Sequence, residues 1–281
     1  MNTFITVLFS ADFPFIRNAL IAGVLSAVLF GTLGAVVTVR RIASLAGAIS
    51  HAVLGGIGMA LYFSAAGIVP GFPPMAGALI FAVLSAGIIG VVSLKAKQRE
   101  DTVINAIWAI GMSVGVLFMA KTPGYTDPSS YLFGNILLIS NRDLLLLAVL
   151  DGIVIFLSWR FYPQIEASSF DEEFARVRGV PVSALFLILL AITAVAIVLL
   201  QTFVGIVMVI AMLTLPAGTA GSFAKSLGGL MFFSALFAAL FSAAGLVLGW
   251  AFDAPVGAVT VIIAGIVFLG VAGVRVLKNG R

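Results

Sequence analysis

An all-α bundle of membrane-spanning helices is the fold class this sequence predicts, and three observations carry the prediction. Hydrophobic residues make up 62% of the 281-residue chain and charged residues only 9%, against about 25% charged in an ordinary soluble domain. Nine apolar runs follow one another, each close to the ~20 residues a helix needs to cross a bilayer. The basic residues fall in the gaps between those runs rather than in a patch. A soluble core of this size could not cover its surface with so few charges, and the 30 glycines suit membrane helices.

The runs lie at about 18–39, 45–66, 74–94, 102–121, 143–161, 183–201, 203–222, 227–250 and 255–275. Residues 1–16 carry no Lys or Arg, and the first run is longer than a signal-peptide core, so a cleavable leader is not expected. Gly55, Gly56 and Gly58 crowd the second run, while Gly111 with Gly115 and Gly245 with Gly249 form GxxxG pairs. Such residues let helix backbones approach closely. The sixth and seventh runs are separated only by a tight turn at Gln201 and Thr202. Eight to nine spans therefore form a single transmembrane domain over 1–281.

Alternation along the runs tests orientation. With Arg40 and Arg41 inside, Lys95, Lys97, Arg99, Arg160, Arg176, Arg178, Lys225, Arg275, Lys278 and Arg281 also fall inside. Arg17, Lys121 and Arg142 are the three of 15 left outside. The positive-inside rule then places the N-terminus outside and the C-terminus in the cytoplasm.

Two connections exceed a turn. The outer one, about 122–142, holds Pro-Gly and Asp-Pro pairs. In the inner one, about 162–182, Asp171 precedes a short helix-compatible stretch that Gly179 and Pro181 close. An ordered, charged helix there is a docking element for a soluble partner; a solvated connector is the plainer alternative.

Several chemistries are excluded. With no cysteine there are no disulfides and no thiolate metal sites. The basic residues follow the membrane boundaries, so the pI near 9.7 does not signal nucleic acid. No phosphate-binding G-x-x-x-x-G-K-[ST] loop, nucleophile elbow or H-E-x-x-H occurs, so the chain is not expected to be an enzyme or to hold ATP by that motif.

Ionisable groups within membrane spans are functional hypotheses by default. Two stand out. His51, the one histidine, lies about 12 Å along the second run at 1.5 Å per residue, and Asp151 lies at a similar depth from the outer end of the fifth. Imidazole suits divalent transition metals, and a carboxylate adds attracting charge. His51 reads either as a transient ligand on a path or as a packing residue satisfied by a backbone carbonyl. Asp151 reads either as a path residue or as a paired carboxylate at a helix interface. Neither supplies the four ligands of a tight zinc site, but a conduit must release what it binds.

Over nearly its whole length the chain resembles the permease subunits of the ABC-3 family, importers of zinc, manganese and iron. The matching stretches are Phe15–Leu20 (FIRNAL), Arg40-Arg41, Ile49–Leu54 (ISHAVL), Asp101-Thr102 and Tyr131–Leu137 (YLFGNIL). Phe174–Pro181 (FARVRGVP), Val204-Gly205, Leu215–Ala220 (LPAGTA) and Pro255–Ala258 (PVGA) continue in register. The resemblance implies a type II importer-like permease in the cell membrane, paired with a second permease copy. ATP is then held by cytoplasmic ATPase subunits, and metal is delivered by an extracytoplasmic metal-binding protein. It implies that Ser50 and His51 line the path near the dimer axis, where two His51 side chains face each other. It also implies that Asp171, Glu172, Glu173, Phe174, Ala175, Arg178 and Gly179 couple the permease to the ATPase.

One departure matters. The family pattern has an aspartate one helical turn before the histidine, where this chain has Gly47. Asp151, or a non-identical second permease, would have to supply the missing carboxylate. Without that acidic ligand, zinc stands slightly ahead of manganese as cargo. A permease for a metal chelate and a gradient-driven carrier are the alternatives; the latter normally needs chains of intramembrane carboxylates.

Overall fold

The computed structural model describes residues 14–95, 100–124, 129–134, 136 and 139–279. Lys97, Arg99 and Arg281, the Asp-Pro pair of the outer connection, and Asn135 and Leu137 lie outside the described residues.

Among the described residues the chain forms twelve helices and no strand. They are α1 (Pro14–Val39), α2 (Ala43–Ala65), α3 (Pro74–Lys95), α4 (Glu100–Lys121), α5 (Ser129–Phe133) and α6 (Asn141–Arg160). Then come α7 (Tyr162–Phe170), α8 (Glu172–Val177), α9 (Val182–Val204), α10 (Ile206–Ala220), α11 (Leu227–Phe252) and α12 (Val256–Asn279). Local chemistry sets several boundaries. Ser140 caps α6 in a reciprocal box with Asp143. Asp171 accepts from the Phe174 amide at 2.9 Å to start α8, and Gly179, at φ 81°, ends the turn after it. The cap and stop expected around Asp171 and Gly179 are therefore present.

The helices alternate in direction. Gly23 and Gly31 of α1 meet Ser242 and Ala235 of α11, so those two run antiparallel. Gly257 of α12 lies against Met208 of α10, and Gly218 of α10 against Phe268, so α10 and α12 run parallel. Arg40, α7, α8 and the start of α11 gather at one end of the bundle; α5, Gly205 and the start of α12 gather at the other.

Seven helices are long and apolar enough to cross a membrane. An eighth crossing arises only if α6 and α7, bent by 71°, count as one, because α6 carries Arg142, Asp143, Asp151 and Arg160. Of the eight to nine spans expected from the sequence, the lower figure is met when the bent pair counts as one crossing. The seventh run forms α10, whose 15 residues extend only about 22 Å at 1.5 Å per residue, short of a ~30 Å hydrocarbon core. The break before it is not at Gln201 and Thr202, which remain inside α9. It is at Gly205, φ 82°, where the backbone of Gly134 packs so closely that a Cβ has no room. The inner connection also differs: it holds two helices, α7 and α8, rather than one.

The most enclosed span is α2, with 78% of its most apolar stretch buried. α4 and α12, at 22% and 11%, lie on the periphery. The predicted glycines make the contacts around α2. A Cβ on Gly111 would strike Ala52, one on Gly115 the Leu54 carbonyl, and one on Gly58 the backbone of Gly115. Gly56 meets Gly77 of α3 in the same way. Lipid supplies no hydrophobic drive between helices, so such backbone contact is what joins them.

Gly115→Leu is expected to force α4 off α2, destabilising the fold by about 1–3 kcal/mol, whereas Gly87→Leu has open space around it and should be neutral. Thermal unfolding in detergent checks this; equal melting temperatures would contradict the packing.

Candidate functional site

α4 faces α2 through Ile104, Gly111, Gly115 and Met119, its buried stripe. Trp108 belongs to the same face, one turn before Gly111. The close approach at the glycines brings its indole over α2, where it stacks on His51 with ring centroids 4.5 Å apart and planes 16° from parallel. The same indole covers Gly47: a Cβ there would stand 3.5 Å from Cζ3. The surface on which an aspartate side chain would lie is thus filled by an aromatic face. His51 itself is half-buried, and its Nδ1 is enclosed without a hydrogen-bond partner. No backbone carbonyl satisfies that nitrogen, as a purely packing role would lead one to expect.

Ser50 and His51 do not share a surface. Ser50 is fully buried, and its hydroxyl donates to the Ala46 carbonyl at 2.8 Å, so helix geometry turns it about 100° from its neighbour, into the core. Asp151 is also buried, on α6, which packs against α1 and α9. Neither carboxyl oxygen has a hydrogen-bond partner, and among the described residues no basic side chain pairs with it. The structure does not bring Asp151 to the α2–α4 pair that carries His51. Among the described residues, no three His, Cys, Asp or Glu side chains converge as a metal cluster.

The second group of expected site residues is clustered on α8 at the Arg40 end of the bundle. Asp171 caps the helix. Ala175 is fully buried and seats it on the bundle, and Glu173 is exposed. Phe174 is exposed and lies 5.2 Å from the Arg178 guanidinium. Phe170 and Val177 are exposed beside it, leaving an apolar patch on a polar surface. Glu172 turns inward instead. It pairs with Arg40 at 2.8 Å and with Arg176 at 3.5 Å. The Arg40 side chain is only 4% exposed, and its guanidinium lies over the Phe186 ring at 5.4 Å.

Sequence reading named Arg40 only as a basic residue at the end of a span, and missed Trp108 and Tyr162. Trp108 shares the stripe of Gly111 and Gly115, a signal available in the helical repeat. The other two carry no local signal, because their partners are distant in the chain.

This arrangement, a glycine-packed helical bundle with one intramembrane imidazole and a charged connector at one end, defines a multi-spanning transport permease. Residues 12–275 match the ABC 3 transport family, and the chain belongs to that family. It is accordingly a membrane permease of an ABC transporter, not an enzyme, with ATP hydrolysis on partner subunits. It is 33% identical to a probable metal transport system membrane protein of Chlamydia muridarum, over 94% of this chain and 90% of that one. It is 32% identical to the manganese transport system membrane protein MntC of Listeria monocytogenes, over 92% and 89%. Among solved structures, a chain of PsaBC from Streptococcus pneumoniae, in complex with Fab, superposes with a TM-score of 0.82 at 30% identity, covering 95% of this chain and 94% of that one.

The unpartnered Asp151 yields a prediction about stability. Asp151→Leu removes an unsatisfied buried carboxyl and should stabilise the protein by about 1–3 kcal/mol. A raised melting temperature in detergent is the expected result; a lowered one would show that the carboxyl gains a partner in the membrane.

Proposed function

We propose that this chain is the membrane permease of a manganese importer, passing the ion inward through a path that His51 faces. The imidazole of His51, half-buried within a span and held flat against Trp108, carries this reading. The ring is oriented but not consumed by the fold. Manganese is favoured over zinc as cargo because similar proteins are named for manganese transport, in Listeria and in Streptococcus gordonii. The donor set of this chain, one imidazole and no adjacent carboxylate, does not itself select manganese; the choice rests on those relatives. A single weak ligand suits passage, because a conduit must let go of its ion.

Two permease copies together supply two His51 side chains, and the sparsely buried α4 and α12 leave apolar surface for a second copy and for lipid. The Arg40 end of the bundle is cytoplasmic in this reading, since Arg160, Arg176, Arg178 and Lys225 all lie at that end. Phe170, Phe174 and Val177 then face the ATPase. An extracytoplasmic metal-binding protein delivers manganese at the opposite end, and the chain resides in the cytoplasmic membrane. Ser50 serves packing in α2, and Asp151 stands outside the ion's path.

Reconstitution of the permease with its ATPase in vesicles tests this directly. Uptake of manganese should require ATP and should resist competition by zinc and iron, and His51→Ala should reduce it by about ten-fold, the loss of one modest ligand interaction. Undiminished uptake by His51→Ala would remove the ligand role. Preferential uptake of zinc would remove manganese as cargo.

A further inference from the structure

The charged helix α8 is fastened to the bundle at a point that its docking role does not require. Glu172 turns away from the exposed apolar patch and pairs with Arg40, the residue that follows α1. Arg40 is almost wholly enclosed, lies over Phe186 of α9, and leaves Nη1 buried without a hydrogen-bond partner. A buried guanidinium with one strong partner depends heavily on that partner, because losing it leaves an uncompensated charge.

α7 has a matching attachment. The Tyr162 hydroxyl accepts the Gly228 amide at 2.9 Å and donates to Glu166 at 2.9 Å, which ties the start of α7 to the first turn of α11. α1 and α11 are themselves in close contact along their length, with Gly23 against Ser242 and Gly31 against Ala235. The first residue of each connector helix, Tyr162 of α7 and Glu172 of α8, therefore attaches to the α1–α11 pair or to the residue that follows α1. His51 stands on the other tightly packed pair, α2–α4, which makes only slight contact with α1.

We infer that Arg40 is a positioning residue that passes the ATPase-driven displacement of α8, through Glu172, to the α1–α11 pair, shifting it against the α2–α4 pair. The inference rests on the permease reading and names a residue that touches neither the ion nor the ATPase. Glu172 is half-exposed, and Glu172→Gln removes its charge while keeping a side-chain oxygen to accept from the buried Arg40 guanidinium. Glu172→Gln and Arg40→Gln should each leave the ATPase bound and ATP hydrolysis running, yet lower manganese uptake per ATP hydrolysed by roughly ten-fold, a typical allosteric coupling.

The two substitutions combined should be no worse than either alone, since they break one interaction, and Arg40→Lys, which keeps the charge, should recover part of the ratio. These outcomes are read in vesicles containing the complete complex, with uptake and hydrolysis measured together. An unchanged uptake-to-hydrolysis ratio in Glu172→Gln, with the wild-type complex transporting manganese, overturns the role of Arg40 and leaves the function standing. Additive losses in the double variant overturn it as well. Failure of the wild-type complex to transport manganese overturns the permease reading and this inference with it, and the wild-type arm separates that case from the others.

Discussion

Backbone contact at glycine is the constraint on which the rest of this structure depends. Within lipid, apolar side chains gain nothing by leaving one hydrocarbon environment for another, so helices adhere through close van der Waals contact. Gly55, Gly58, Gly111 and Gly115 bring α2 and α4 together at a distance no larger side chain would permit. That approach is what lets Trp108 reach across and lie on His51. Gly23, Gly31 and Gly34 do the same for α1 against α11 and α10. The orientation of the imidazole and the division into two tight helix pairs follow from one physical requirement.

The same requirement explains how much of the fold could be read in advance. The apolar runs, the GxxxG pairs and the Asp171 cap are local patterns, and each is found where the pattern places it. The break between the sixth and seventh runs is not, because hydropathy measures how apolar a run is and not where a backbone can turn. Gln201 and Thr202 look like a break by polarity, yet the chain turns at Gly205, where φ is positive and the Gly134 backbone presses in. Trp108 was legible only in part. Its stripe is periodic, but its partner lies 57 positions away and required the helix packing. The Arg40–Glu172 pair spans 132 residues, and no local pattern announces it.

The candidate site is correspondingly spare. His51 is present and oriented, Ser50 has turned into the core, and Asp151 is buried on a different face of the bundle. Gly47, conspicuous as an absence when set beside the family pattern, has a physical counterpart in the indole that covers it. In the proposed reading a path with one imidazole per copy binds weakly, which leaves selection to the protein proposed to deliver the ion. Membership in the ABC 3 transport family places the energising ATPase on partner subunits.

The central claim is that the face of α2 bearing His51 borders an aqueous path and that the face bearing Ser50 does not. The chain contains no cysteine, so single substitutions report without background from it. In the assembled complex, His51→Cys should react with a membrane-impermeant, water-soluble thiol reagent, and Ser50→Cys should not. A His51→Cys protein that stays unreactive, or a Ser50→Cys protein that reacts equally well, would contradict the account.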